Sequence, residues 1–361
     1  VIPGEVGEDG MAEQADRRIL DLFGIALPII QAPMAGSTTP EMVIAVSEAG
    51  GLGSLPAAQY TPDGLREAMA AVRAGTAGPV NLNFFAHREG PADPARQAAW
   101  VARLAPYYAE AGLDPAEAGA APGRAPFNDA YCAIVEAFRP EVVSFHFGLP
   151  EAPLLARVRA AGCKVISSAT TVAEAVWLEG QGVDAVIAQG VEAGGHRGNF
   201  LSDSMATQVG TMALVPQVVD AVRVPVIAAG GMADRRGVLA AFALGAAAAQ
   251  LGTAYLFTPE ARIPAVHRAA LRAARDDGTA LTNLFTGRPA RGILNRVMRE
   301  VGPLSDLAPP FPTAGGALAP LRARAEAAGS GDFTSLWSGQ AAALAREMPA
   351  GELTRRLAGR A

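Results

Sequence analysis

Eight short apolar runs, each followed by a small or polar cluster and then a helix-like pattern, constrain this chain more than any other feature. They are "PIIQAPM" (28–34), "GLGSLP" (51–56), "PVNLNFF" (79–85), "VVSFHFG" (142–148), "KVISSAT" (164–170), "AVIAQG" (185–190), "PVIAAGG" (225–231) and "AAAQLGTAYL" (247–256). Apolar residues follow one another with little alternation, as in parallel strands buried on both faces. The intervening segments carry helix grammar. "TTPEMVIAVSEAG" has Thr39 as cap, Pro40 in the first turn and a closing glycine. "TTVAEAVWLEGQG" repeats it, with Thr171 and Glu174 spaced as a capping box, and "ADRRGVLAAFALGA" repeats it again.

Strand–helix alternation of this count and length predicts an α/β fold, a (β/α)8 TIM barrel. An open doubly wound sheet is the alternative, but "APMAGS" after the first strand is not the G-x-G-x-x-G turn which that sheet would use for a dinucleotide. The barrel is expected over 19–258. The stretch of about 88–139 is too long for one crossover and is expected to carry a helical insertion after strand 3, near the mouth. Residues 259–361 are expected to form a C-terminal helical extension packing on the barrel.

Composition narrows the function classes. Half the residues are hydrophobic, 18% are charged and the net charge is −5; a large core is possible and the basic footprint of a nucleic-acid binder is missing. No apolar stretch approaches a membrane span. The polar N-terminus lacks the apolar centre of a signal peptide, and Met11 reads as a natural start. Cys132 and Cys163 are too few for a disulfide framework or a zinc site. A cytoplasmic protein is expected, with a homo-oligomer left open. The single lysine, Lys164, confines any Schiff-base chemistry to one position.

Active sites of such barrels form at the C-terminal strand ends. That rule discounts Lys164 and Asp184, which open strands. It selects Met34, Asn83, His87, His146, Ser168, Gln189, Glu192, His196, Gly230, Gly231 and the run Gln250–Thr253. Glycines in "AAGGM" and "QLGT" would let backbone N–H groups approach a phosphate, with the following helix pointing its positive end at it. Asn83 and Gln189 are amides of the kind that pair with a flavin pyrimidine, or with loop backbone. Of the four histidines, His146 and His196 converge on the mouth with His87 close by, and His267 in the tail reads as structural. A neutral imidazole is a suitable base near pH 7. In "VEAGGHRG" (191–198) the bare backbone would let a planar ring lie alongside, with His196 above it.

In these residues the chain resembles the nitronate monooxygenases, formerly called 2-nitropropane dioxygenases. The likeness is carried by "QAPMAG", "NLNFF", "AQGVEAGGHRG", "AAGGM", "QLGT" and "TNLFTGRPARGI", and spans most of the chain, from about Ile19 to residue 342. It implies FMN as cofactor, bound by Ala32, Pro33, Met34, Asn83, Gln189, Gly194, Gly195, Gly230, Gly231, Gln250, Leu251, Gly252 and Thr253. It implies His196 as catalytic base, with His146 shaping the substrate pocket and His87 beside it. The implied reaction takes a nitronate or nitroalkane and O2 to a carbonyl compound and nitrite. The chain departs from members with a tyrosine pair and a lysine before the "FP" segment; here that region reads "VGPLSDLAPPFPT".

Three other readings remain. An FMN-dependent NADH reductase of quinones or enoyl thioesters shares the same motifs. A metal enzyme would use His146, His196 and Glu192 as a facial triad. A flavin store would use the histidines only as pocket lining.

Overall fold

The computed structural model describes residues 16–88, 90, 93–119 and 124–360. The N-terminal stretch with Met11 lies outside the described residues.

Eight parallel strands form one sheet: β1 (Ile29–Gln31), β2 (Gly53–Pro56), β3 (Val80–Phe85), β4 (Val142–His146), β5 (Lys164–Ala169), β6 (Ala185–Gln189), β8 (Val226–Ala229) and β9 (Ala248–Leu251). Their order is β1-β9-β8-β6-β5-β4-β3-β2. A parallel bridge between Ile30 and Leu52 joins its two ends. The architecture is therefore a (β/α)8 barrel, with every expected apolar run supplying one strand. β7 (Gly195–His196) leaves the barrel and pairs with β11 (Ala290–Ile293), which pairs in turn with β10 (Thr279–Thr282) in an antiparallel sheet. The C-terminal extension is thus a hairpin as well as helices. Its alternation is too short to be conspicuous in sequence.

The caps behave largely as the residue types dictate. Thr39 accepts from the Met42 N–H and Thr171 from the Glu174 N–H. The expected box at Thr171 is not reciprocal, however. The buried Glu174 carboxylate instead accepts from the N–H and hydroxyl of Thr170 and from the N–H groups of Phe200 and Leu201, tying down the loop after β7.

The stretch 88–139 divides in two. Its last helix, Asp129–Phe138, packs Tyr131, Cys132, Ile134 and Val135 into the main core and is the barrel's own crossover helix. The helix Pro94–Ala111 is the added part. Its Trp100, Leu104 and Tyr108 form a second core with Leu284, Met298 and Leu318 of the extension. The Trp100 indole donates to the Ala314 carbonyl at 3.0 Å and the Tyr108 hydroxyl to the Ala317 carbonyl at 2.6 Å. The final helix, Ala350–Leu357, returns to the barrel, burying Leu353 and Leu357 in the main core.

Inside the barrel one matched register faces the axis. Toward the N-terminal strand ends it consists of Ile30, Leu52, Val142, Ile166, Ala185, Ile227 and Ala248, closed from below by Ile19, Phe23 and Ile25. Two to four residues further along β4, β5, β6 and β9 it becomes Ser144, His146, Ser168, Gln189 and Gln250, which together with Asn83 of β3 line a cavity.

Candidate active site

The cavity opens at the C-terminal strand ends and has a volume of about 1280 Å³ including its open mouth. Ala32, Pro33, Met34, Asn83, His146, Gln189, Gly194, Gly195, His196, Gly230, Gly231, Gln250, Leu251, Gly252 and Thr253 all line it. The barrel therefore brings together every site residue expected from sequence except one. His87 does not reach the wall. It is buried one layer back, edge-on to Phe311 with ring centroids 4.8 Å apart, and neither ring nitrogen has a hydrogen-bond partner among the described residues. Burial, then the Arg288 charge, lowers its pKa to about 4.

The segment "VEAGGHRG" is fixed from three sides. The Gln189 amide donates to the His196 carbonyl at 3.0 Å and accepts from the Gly198 N–H at 2.8 Å. The fully buried Arg197 donates to the carbonyls of Gly190 and Gln189 at 2.6 and 2.8 Å and to the Gln208 amide oxygen at 2.9 Å. Arg291 of β11 donates to the Val191 carbonyl at 2.9 Å. The glycines are needed for separate reasons. A Cβ on Gly194 would stand 2.5 Å from the Gly339 nitrogen, so only glycine lets the C-terminal segment pass. Gly195 has φ +72°, and a Cβ there would meet nothing within 4 Å. Bare backbone thus faces open space.

His196 stands at the end of this segment. Its ring centroid lies 6.1 Å from Phe85, 5.9 Å from Phe147, 5.5 Å from Phe311 and 5.7 Å from Trp337. Nε2 is 2.9 Å from the Thr286 hydroxyl, which is 3.2 Å from the Arg288 carbonyl. Burial, then the positive fields of Arg124 and other cationic or titratable neighbours, holds its pKa well below the usual 6.5. The ring is neutral at pH 7. His146 places Nε2 3.2 Å from the His196 carbonyl, which only accepts, so Nε2 carries the proton; Nδ1 then accepts from the Ser168 hydroxyl at 3.0 Å. Burial lowers its pKa to about 3.

Several groups fit a flavin. The Gln250 side-chain oxygen is buried at the cavity with no partner among the described residues, an expensive state for an amide unless something donates to it. Asn83 spends its amide N–H on Ser144, at 2.9 Å from the hydroxyl. Among the described residues, the backbone N–H groups of Gly231, Gly252 and Thr253 donate to no protein acceptor. The helix after β8 adds less than expected, because the Asp234 side chain already accepts from its first N–H groups, Arg236 and Gly237. Any anion there would be held by the loop amides. Gln189 is likewise largely committed to the protein.

The facial triad does not assemble. Both Glu192 oxygens accept from the Thr211 N–H at 2.9 Å, and no group of three or more His, Cys, Asp or Glu suited to a metal occurs among the described residues. Nor is any helix among them long and apolar enough to cross a membrane.

Sequence reasoning missed the residues that the tail and the insertion send to the site: Thr286, Phe311, Trp337, Ser338 and Arg124. Only "TNLFTGRPARGI" hinted at them, since a strand pairing with β7 must bring its neighbours along.

A closed barrel with a neutral imidazole and a glycine-walled cavity at its C-terminal mouth defines an enzyme of the (β/α)8 class. Comparison with known proteins agrees. The profile of the family described as nitronate monooxygenase matches residues 16–359. A nitronate monooxygenase from Pseudomonas aeruginosa is 43% identical, covering 94% of this chain and 97% of its own. The nitroalkane oxidase structure from Streptomyces ansochromogenes superposes with a TM-score of 0.85 at 42% identity, covering 94% of this chain and 96% of its own. FabK from Thermotoga maritima gives a TM-score of 0.71 at 29% identity, covering 95% and 94%. The chain belongs to the nitronate monooxygenase family and is a flavin-dependent oxidoreductase.

Proposed function

We propose that this protein oxidises alkyl nitronates, and nitroalkanes after deprotonation, with O2 to a carbonyl compound and nitrite, using bound FMN and His196 as base. The observation that carries this reading is the neutral His196 ring held between an aromatic wall and the bare backbone of Gly194 and Gly195.

Bound FMN would supply the electron acceptor that passes reducing equivalents on to O2. Gln250, Asn83 and the free loop amides would hold it, and Ala32–Met34 would flank its ring. With Nε2 of His196 donating to Thr286, whose own proton goes to the Arg288 carbonyl, the lone pair resides on Nδ1. That atom has no partner among the described residues and would take the proton from the carbon beside a nitro group. His146, locked by Ser168 and the His196 carbonyl, cannot compete for it and holds the catalytic backbone in place. Phe85, Phe147 and Phe311 keep water from the reacting carbon.

The test is the visible spectrum of the purified protein, followed by propyl-2-nitronate in air. A flavin spectrum with oxygen uptake and nitrite release is expected. A flavoprotein inert to nitronates but bleached anaerobically by NADH would transfer the chain to the reductases that share its motifs.

A further inference from the structure

We propose that Arg124 is the anion anchor of the cavity, its guanidinium receiving the two nitro oxygens of the substrate and holding the reacting carbon beside His196. The inference deepens the nitronate reading and rests on it.

The cavity wall carries two formally charged side chains among the described residues, Arg124 and Glu192. Glu192 is committed, with both oxygens on the Thr211 N–H and one also on its hydroxyl, at 2.9 Å. Arg124 has neither an ion pair nor a hydrogen bond among the described residues, although the wall removes much of it from water. Burial depresses its pKa, with no opposing acid among the described residues. A cation in that position is costly unless a ligand brings the counter-charge.

The cavity offers that ligand one kind of seat. Arg124 and His196 line the same cavity, so an anion bound to the guanidinium shares that space with the base. A second cation, Arg288, stands behind Phe147 with its guanidinium carbon 4.3 Å from the ring centroid. A guanidinium fork matches two coplanar oxygens. A nitronate presents such a pair with its charge spread over both. A nitroalkane presents the same pair uncharged and gains the charge as its carbon proton leaves. Arg124 would therefore favour the nitronate in binding and, for a nitroalkane, stabilise the product of proton loss to His196.

The experiment uses the flavin-loaded enzyme and nitrate, a planar oxyanion that does not react. Nitrate titrations followed by flavin absorbance are run on wild type, Arg124→Met and Arg124→Lys, with steady-state kinetics on propyl-2-nitronate alongside. Nitrate binding is expected to weaken about 10- to 100-fold in Arg124→Met, the size of a lost charge-assisted contact. Arg124→Lys should recover part of that loss. KM for the nitronate should rise in parallel while kcat changes little. Equal nitrate affinity in all three proteins, or a fall in kcat at unchanged KM, would overturn the anchor. The titration needs no turnover, so an enzyme that binds nitrate through Arg124 but leaves nitronates untouched would sink the nitronate reading and spare the anchor.

Discussion

The lower and upper halves of the barrel interior are built from the same strands and the same inward register, yet they share almost no chemistry. Below, Ile30, Val142, Ile166 and Ile227 close on one another and on Phe23. Above, Ser144, His146, Ser168, Gln189 and Gln250 face a cavity. A step of two residues, from Ile166 to Ser168 or from Ala248 to Gln250, crosses from one regime to the other. The difference teaches that in this barrel stability and reactivity are separated by height along the strand, as the layered interior of the fold allows.

The contrast breaks most visibly at His196. Its replacement by Asn is expected to cut kcat/KM for a neutral nitroalkane by about 10²- to 10⁴-fold while sparing preformed nitronates. Equal loss on both substrates in oxygen-uptake assays would remove it as the base. In the lower half the counterpart is Ile166→Ala, expected to cost about 2–5 kcal/mol of unfolding free energy at unchanged KM. A denaturation midpoint near wild type would show that the lower half is not the stabilising layer.

The upper half should also weaken the fold in acid. His87 and His146 have native pKa values of about 4 and about 3, below the ordinary 6.5. The unfolded chain therefore binds protons first as pH falls. Stability present above pH 6.5 should decline toward pH 4 by roughly 1 kcal/mol per unit for each fully titrating histidine. Urea midpoints at pH 7 and pH 5 check this, and a His87→Phe variant should flatten the slope. The smallest effect is at Gln250. Gln250→Met removes a buried orphan oxygen, so the flavin-free protein should be no less stable, while FMN affinity falls about tenfold. Unchanged affinity by flavin fluorescence titration would take Gln250 out of the cofactor berth.

The strands were legible because two-sided burial writes itself as unbroken apolar runs, and the strand-end rule then gathered His146, His196, Gln250 and the loop glycines from across about a hundred positions. His87 misled because adjacency to a strand end places a residue near the mouth without saying which side of Phe85 it will occupy. Gln189 was legible only as a choice between a flavin and loop backbone; it lines the cavity, and its amide donates to the His196 carbonyl and accepts from the Gly198 N–H. Thr286 was visible only as part of "TNLFTGRPARGI", with no role attached, and Trp337 and Arg124 were illegible. They come from segments whose packing against each other, through Trp100 and Leu284, follows no single periodicity.

The pairing of β7 with β11 sets Ala290 opposite His196 and Arg291 opposite Gly195. Successive residues of a strand point to opposite faces, so a shift of one place in that alignment would turn the imidazole away from the cavity and bring Gly195 or Arg197 to its position. The aim of the base is thus a matter of parity. Inserting or deleting one residue in the seven-position turn between β10 and β11, which also carries the Thr286 that holds Nε2 of His196, would challenge that alignment from outside the barrel.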